Sequence, residues 1–264
     1  MVRKLMKHEL IALFRILVWF MGAVMLLGVI ARISLESVTL IDSGSGANIG
    51  LNVGLTLSTT FSVSFWFFSI IALWYAALIL SVVRYFKSLF TGEGYLTFSL
   101  PVTPTQLLLA KFFSALIASA ACIAVVILSC LVMLPSTAWA GLGDVIYNLF
   151  AVIREFFASE PIVIIEVLLA IIAIIPSGLL YLYLVASIGQ LFTKGRIVIT
   201  IALYYAFSFA LQMMFSIFIF PLIQLTLVSV HLVIWLGIIV LIAFDVASFL
   251  VIRYILLHKV NLVV

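Results

Sequence analysis

Six apolar runs constrain this chain more than any other feature. Each is roughly 16 to 29 residues long, bracketing the about 20 that carry a helix across roughly 30 Å of hydrocarbon. They extend over about Ile16 to Ala31, Thr56 to Val83, Phe112 to Leu134, Pro161 to Gln190, Ile197 to Phe220 and Leu227 to Ile252. Of 264 residues, 67% are hydrophobic and 8% charged, with a mean hydropathy of +1.46. A water-soluble core cannot absorb that much apolar surface. The pattern predicts an all-α membrane protein of six transmembrane helices in one transmembrane domain, residues 1–264. The first run is the shortest, with Arg15 and Arg32 placed to snorkel to the two interfaces.

Six spans put both termini on one side, and the basic residues say which. Arg3, Lys4, Lys7, Arg15, Arg84, Lys87, Lys111, Lys194, Arg196, Arg253 and Lys259 fall on the terminal side, against Arg32 and Arg154 on the other. By the positive-inside rule both termini are cytoplasmic. The formal charge of +4 then reflects topology and contact with anionic lipid, and gives no reason to infer nucleic acid. No cleavable leader is evident, because the run after Arg15 lacks a small-residue cleavage site. Cys122 and Cys130 share one helix about 12 Å apart, too far for a disulfide, and read as packing residues.

Between the spans, residues 2–15 set Val2, Leu5, Met6, Leu10 and Leu13 at helical spacing opposite Arg3, Lys4, Lys7 and His8. This reads as an amphipathic helix on the inner leaflet, or as an inward extension of the first span. The loop from Arg32 to Leu55 contains DSGSGANIG and reads as a flexible external loop. Its Gly44, Gly46 and Gly50 miss the dinucleotide-binding spacing. A second external segment, 136–160, has Asp144 as a candidate N-cap and an apolar face from Val145 to Phe156. That predicts an interfacial helix that covers the ends of spans three and four or caps an exit. In span three, Ala110, Ser114, Ala118 and Cys122 recur every four residues and predict a close helix contact. Pro176-Ser177-Gly178 predicts a kink in span four.

The stretch from Arg84 to Lys111 is the long polar interruption that should face the cytoplasm. It offers a short amphipathic piece, KSLFTGEGYLTF, then a stiff entry into span three. Thr103 suits an N-cap, Pro104 the first helical position and Gln106 the third position of a capping box. The third helix should therefore start about two turns before the membrane.

These residues resemble a family. Gly92-Glu93-Gly94-Tyr95-Leu96, Leu100-Pro101-Val102, Thr103-Pro104, Gln106, Leu107 and Lys111 are similar to the loop of ABC-2 type transporter permease subunits, in the Gram-positive, Clostridium-like branch. The opening KLMKHELIALFRIL is similar to that family's basic start, and RYILLHKVNL to its close, from which Val260, Val263 and Val264 depart. The resemblance implies a cytoplasmic coupling helix between helices 2 and 3, around Lys87 to Leu96, that docks on a separate ATPase. It implies Glu93, Tyr95 and Leu96 as contacts, with Lys87, Gly94, Pro101, Thr103 and Pro104 completing the coupling set. It further implies two permease copies and two ATPases in a bacterial cytoplasmic membrane, with ATP and Mg bound by the ATPase and no cofactor in this chain. Export as the direction rests on the same analogy.

One acid lies deep in a span. Asp245 stands eight residues before Arg253, about 12 Å from the inner border. A lone ionised Asp there costs on the order of 2.5 to 3.5 kcal/mol, so the sequence predicts a hydrogen bond to Tyr204 or Tyr205, or a protonated carboxyl. Glu166, Gln224 and His231 read as interfacial. With Asp245 they supply the alternative function, an ion-gradient-driven secondary transporter. An intramembrane enzyme would need clustered His and carboxylates or a nucleophile beside a His, and only His8, His231 and His258 occur. No P-loop is present, so energy must come from a partner or a gradient. The 22 Phe and 9 Tyr could line a hydrophobic path or face lipid, and the cargo is not legible.

Overall fold

The computed structural model describes residues 2–42, 49–90, 103–134, 139, 141–159, 161–192, 195–214, 216–217 and 230–258. Among them there is no strand. The long helices are α1 (Val2–Asp42), α2 (Ile49–Phe90), α3 (Pro104–Met133), α4 (Leu142–Ser159), α5 (Pro161–Gly189), α6 (Arg196–Met214) and α7 (Val230–His258). Five carry segments long and apolar enough to cross a bilayer: Arg3–Val38, Val53–Phe90, Pro104–Met133, Ile165–Gly189 and His231–His258. Where a further span was expected, at about 197 to 220, α6 provides the shorter apolar helix Val198–Met214, and 218–229 lie outside the described residues.

Of the two readings of residues 2–15 the inward extension is observed, and the boundary after Arg32 differs from expectation. Residues 2–15 form no separate helix but the first turns of α1, because nothing from Val2 to Asp42 stops a helix: there is no proline, and Gly22 and Gly28 are interior. The expected glycine loop also shrinks. Arg32 pairs with Glu36 one turn on at 3.2 Å, and the Ser34 and Ser37 hydroxyls donate to the carbonyls of Ile30 and Ser34 at 2.6 and 2.7 Å. These local bonds carry the helix past Arg32, and α2 is already formed at Ile49. Residues 43–48, with Gly44 and Gly46, lie outside the described residues.

The chain divides into two compact units. In Lys7–Leu80 with Ile117–Arg154, Leu13, Leu17, Met21 and Val24 of α1 share one face and pack with Leu73 and Ala77 of α2 and Ala118 and Cys122 of α3. The small-residue stripe of α3 thus makes its contact within one chain, at least over Ala118 and Cys122. Where lipid tails are as apolar as leucine, such contacts stabilise by close van der Waals fit. Gly28 shows how close the helices come: a Cβ there would stand 3.3 Å from the Trp66 indole nitrogen and 3.5 Å from the Ser129 carbonyl.

The other unit comprises Met1–Met6, Ser81–Leu116 and Glu155–Val264. Two contacts set α5 and α7 parallel: His231 meets Glu166, 65 residues earlier, and Phe244 meets Tyr181, 63 residues earlier. α6 folds back antiparallel on α5, with Thr200 against Gly189 and Ser208 bonded to Tyr181. The turn between them ends at Gly195, whose φ of 69° is a conformation that L side chains resist. α5 runs unbroken through Pro176, and the Ser177 hydroxyl is directed at the carbonyls of Ala173 (3.0 Å) and Ile174 (2.9 Å) in the turn before it.

A Cβ added at Gly189 would collide with the Thr200 side chain. Alanine favours helix by about 1 kcal/mol over glycine, but overpacking costs typically about 1–3 kcal/mol, so Gly189→Ala should lower stability. Thermal unfolding in detergent should show a reduced Tm that Thr200→Gly partly restores. An unchanged Tm would remove this contact from the account of the α5–α6 hairpin.

Candidate functional site

The entry to α3 is built as its residues predict. The Thr103 carbonyl accepts the first helical bond from the Leu107 N–H at 3.1 Å. The Gln106 N–H donates to the Thr103 hydroxyl at 3.4 Å, and the Thr103 N–H donates to the Gln106 side-chain oxygen at 3.3 Å. This reciprocal pair is a capping box, with Pro104 in the first helical position where its missing N–H costs nothing. Lys87 is exposed in the last turn of α2. Glu93, Gly94, Tyr95, Leu96 and Pro101 lie outside the described residues.

Between Lys87 and the body of the unit stands a contact that sequence reasoning missed. Tyr85, fully buried at 1% exposed, stacks on Tyr183 of α5 with ring centroids 4.3 Å apart and planes 11° from parallel. Its hydroxyl lies 2.7 Å from Ser187 Oγ, which donates to the Tyr183 carbonyl at 2.7 Å. Ser187 therefore accepts the Tyr85 proton, and both hydroxyls are satisfied. Leu89 and Phe90 of α2 and Leu107, Leu108 and Lys111 of α3 are buried in the same unit. The two ends of the 84–111 segment are thus fixed by side chains, one by ring stacking and one by a cap. Tyr85 and Tyr183 lie far apart in the chain, and no local periodicity marks them as a pair.

Deeper in the unit, the tyrosines do not serve Asp245. The Tyr181 hydroxyl donates to the Tyr204 carbonyl at 2.7 Å and lies 2.7 Å from Ser208 Oγ, while the Tyr204 ring meets Tyr181 and Tyr205. Asp245 Oδ1 is buried with no hydrogen-bond partner among the described residues. The predicted bond from Tyr204 or Tyr205 is absent. Tyr205 is 67% exposed, and the hydroxyl that turns inward toward α6 belongs to Tyr181 of α5.

Glu166 has a partner that its place in the sequence did not reveal. It is 0% exposed, and its Oε2 accepts from His231 Nδ1 at 3.0 Å. The parallel packing of α5 and α7 places the starts of the two helices together, which distance from Pro161 along one helix could not reveal. Glu166 Oε1 remains buried and unpartnered among the described residues. Gln224 lies outside them. In α4, Asp144 sits inside the first turn rather than before it, where a carboxylate still favours the helix dipole.

Among the described residues no group of three or more His, Cys, Asp or Glu side chains could hold a metal ion. Comparison of the chain with family models, with curated proteins and with solved structures finds no match.

Removing the partner of a buried hydrogen-bonded group costs about 1–3 kcal/mol because the other group is left unsatisfied. His231 is 35% exposed, so His231→Ala should fall toward the lower end of that range. The double variant Glu166→Leu, His231→Leu should lie within about 1 kcal/mol of the unsubstituted protein. Thermal unfolding of the three proteins checks this, and equal destabilisation of single and double variants would show that the unsatisfied carboxyl is not the cause.

Proposed function

We propose that this chain is the membrane-spanning permease subunit of an ABC-2 type ATP-driven transporter, working as an exporter in a bacterial cytoplasmic membrane. The observation that carries the reading is the order of residues from Gly92 to Lys111, with the similar opening and close of the chain. In this reading α6 and the residues after it supply the fifth of six spans, and both termini are cytoplasmic. The capping box at Thr103 supports it, since a helix that starts with a satisfied N-terminus ahead of the membrane is a stiff lever.

The coupling helix, Lys87 to Leu96, docks on a separate ATPase subunit through Glu93, Tyr95 and Leu96. ATP and Mg are bound and consumed there, and this chain contributes no catalytic group. A partner shifts a conformational equilibrium only through contacts that differ between states. Force on the loop has two exits in the chain: α3, 30 residues and about 45 Å long, entered at Pro104, and the Tyr85 stack on α5. A second permease copy, identical or homologous, completes the path. An ion-gradient carrier is the rival reading, and the unpartnered Asp245 carboxyl is the observation that favours it.

Purification of the tagged chain from its native membrane in mild detergent separates the two. An ABC ATPase should co-purify, and Glu93→Arg with Tyr95→Ala should lose it while the permease remains folded. A stable permease recovered without any ATPase would overturn the reading in favour of the carrier.

A further inference from the structure

We propose that Asp245 and Ser248 form an intramembrane site for a small hard cation, a proton or Na+. The proposal does not rest on docking to an ATPase. Both residues lie on α7, three apart, which places their side chains on one face with Cβ atoms about 5–6 Å from each other. Asp245 is half-buried, with Oδ1 shielded. Ser248 is 2% exposed. Neither Asp245 Oδ1 nor Ser248 Oγ has a hydrogen-bond partner among the described residues, so the two are not bonded to each other.

Ser248 is unusual in this chain. The buried serines Ser114, Ser129, Ser177 and Ser187 all donate to a carbonyl three or four residues back, at 2.7 to 3.0 Å. That back-bond is the ordinary way for a helix in hydrocarbon to satisfy a hydroxyl. The Ser248 hydroxyl forgoes it, and the Asp245 carboxylate oxygen on the same face also lacks a partner. Two unsatisfied oxygens three residues apart on one helix face are matched by one species that both can bind, and a cation there also compensates the carboxylate charge.

Among the described residues of α5, α6 and α7 no basic side chain lies at this level. At this level α5 presents Tyr181, whose hydroxyl is engaged by the Tyr204 carbonyl and Ser208, and Tyr183, which lies against Tyr85. α5 carries no charged residue after Glu166, and α6 carries none from Val198 to Met214. On α7 the nearest cation is Arg253, eight residues on and exposed. Oxygen-only donors favour a hard ion over a transition metal.

The test uses the full chain in liposomes and dicyclohexylcarbodiimide, a lipid-soluble reagent that attacks protonated carboxyls. Modification is read residue by residue by mass spectrometry near neutral pH. Asp245 should react at least about tenfold faster than Asp144 and Glu155 of α4, as expected for a carboxyl inside hydrocarbon rather than in water. Slowing by Na+, with choline as the control cation, identifies a sodium site. Slowing by rising pH alone identifies a proton site. Ser248→Ala, checked for an unchanged size-exclusion profile, should shift the Na+ or pH dependence by about threefold or more, a shift that mere packing would not produce. Asp245 reacting no faster than Asp144 and Glu155, a rate insensitive to both Na+ and pH, or a Ser248→Ala protein identical to the unsubstituted one would each overturn the proposal.

Discussion

A peptide group carried into hydrocarbon finds no water, so its hydrogen bond has to close within its own helix. The rest of this structure depends on that constraint. It sets the length of α1, α2, α3, α5 and α7, and it explains why serine and threonine are tolerated along them. On α2, Thr56, Ser58, Thr59, Thr60, Ser62, Ser64 and Ser69 all turn their hydroxyls back to a carbonyl of the preceding turn. A run that reads as half polar is thereby presented to its surroundings with its hydroxyl protons satisfied. Ser177 does the same in the turn that Pro176 deprives of a donor.

Once the backbone is satisfied internally, it no longer says which helix lies beside which. That is decided by side chains, and the two units use different means. In the first, α1, α2 and α3 meet through small residues and leucines, where fit supplies the stabilisation. In the second, polar pairs give direction. Glu166 with His231 and Tyr181 with Phe244 set the parallel register of α5 and α7, Tyr181 with Ser208 sets α6, and Tyr85 with Ser187 ties in the end of α2. α5 takes part in every one of these contacts. The Tyr85 stack makes α5 one of the two routes, beside α3, for the coupling proposed above.

Local readings fared according to how local their physics is. The Thr103, Pro104 and Gln106 cap was legible because a capping box needs only its own four residues. The limits of α5, from Pro161 to Gly189, were legible for a similar reason, since proline and glycine act on the chain where they stand. Of the two readings of residues 2–15 the inward extension is the one observed, and the 32–55 loop is shorter than expected because its glycine content suggested a break that the backbone did not require. The partner of Glu166 and the lack of a tyrosine bond at Asp245 were not legible, because depth along one helix says nothing of the neighbour. Glu166 is buried against a histidine 65 residues away, and Asp245 follows Phe244, which meets a tyrosine whose hydroxyl is spent on α6.

The sequence by itself determined the class of structure and the positions of most helices, since apolar length, helix caps and glycine or proline act over a few turns. It also determined where the polar 84–111 segment lies and the cap from which α3 begins. Only the tertiary structure decided the pairing: the parallel register of α5 and α7, the stacking of Tyr85 on Tyr183, and the pair of oxygens on α7 that no donor satisfies. The reason is that the long apolar helices offer one another nearly uniform surfaces, and a few polar atoms far apart in the chain break the degeneracy when they meet.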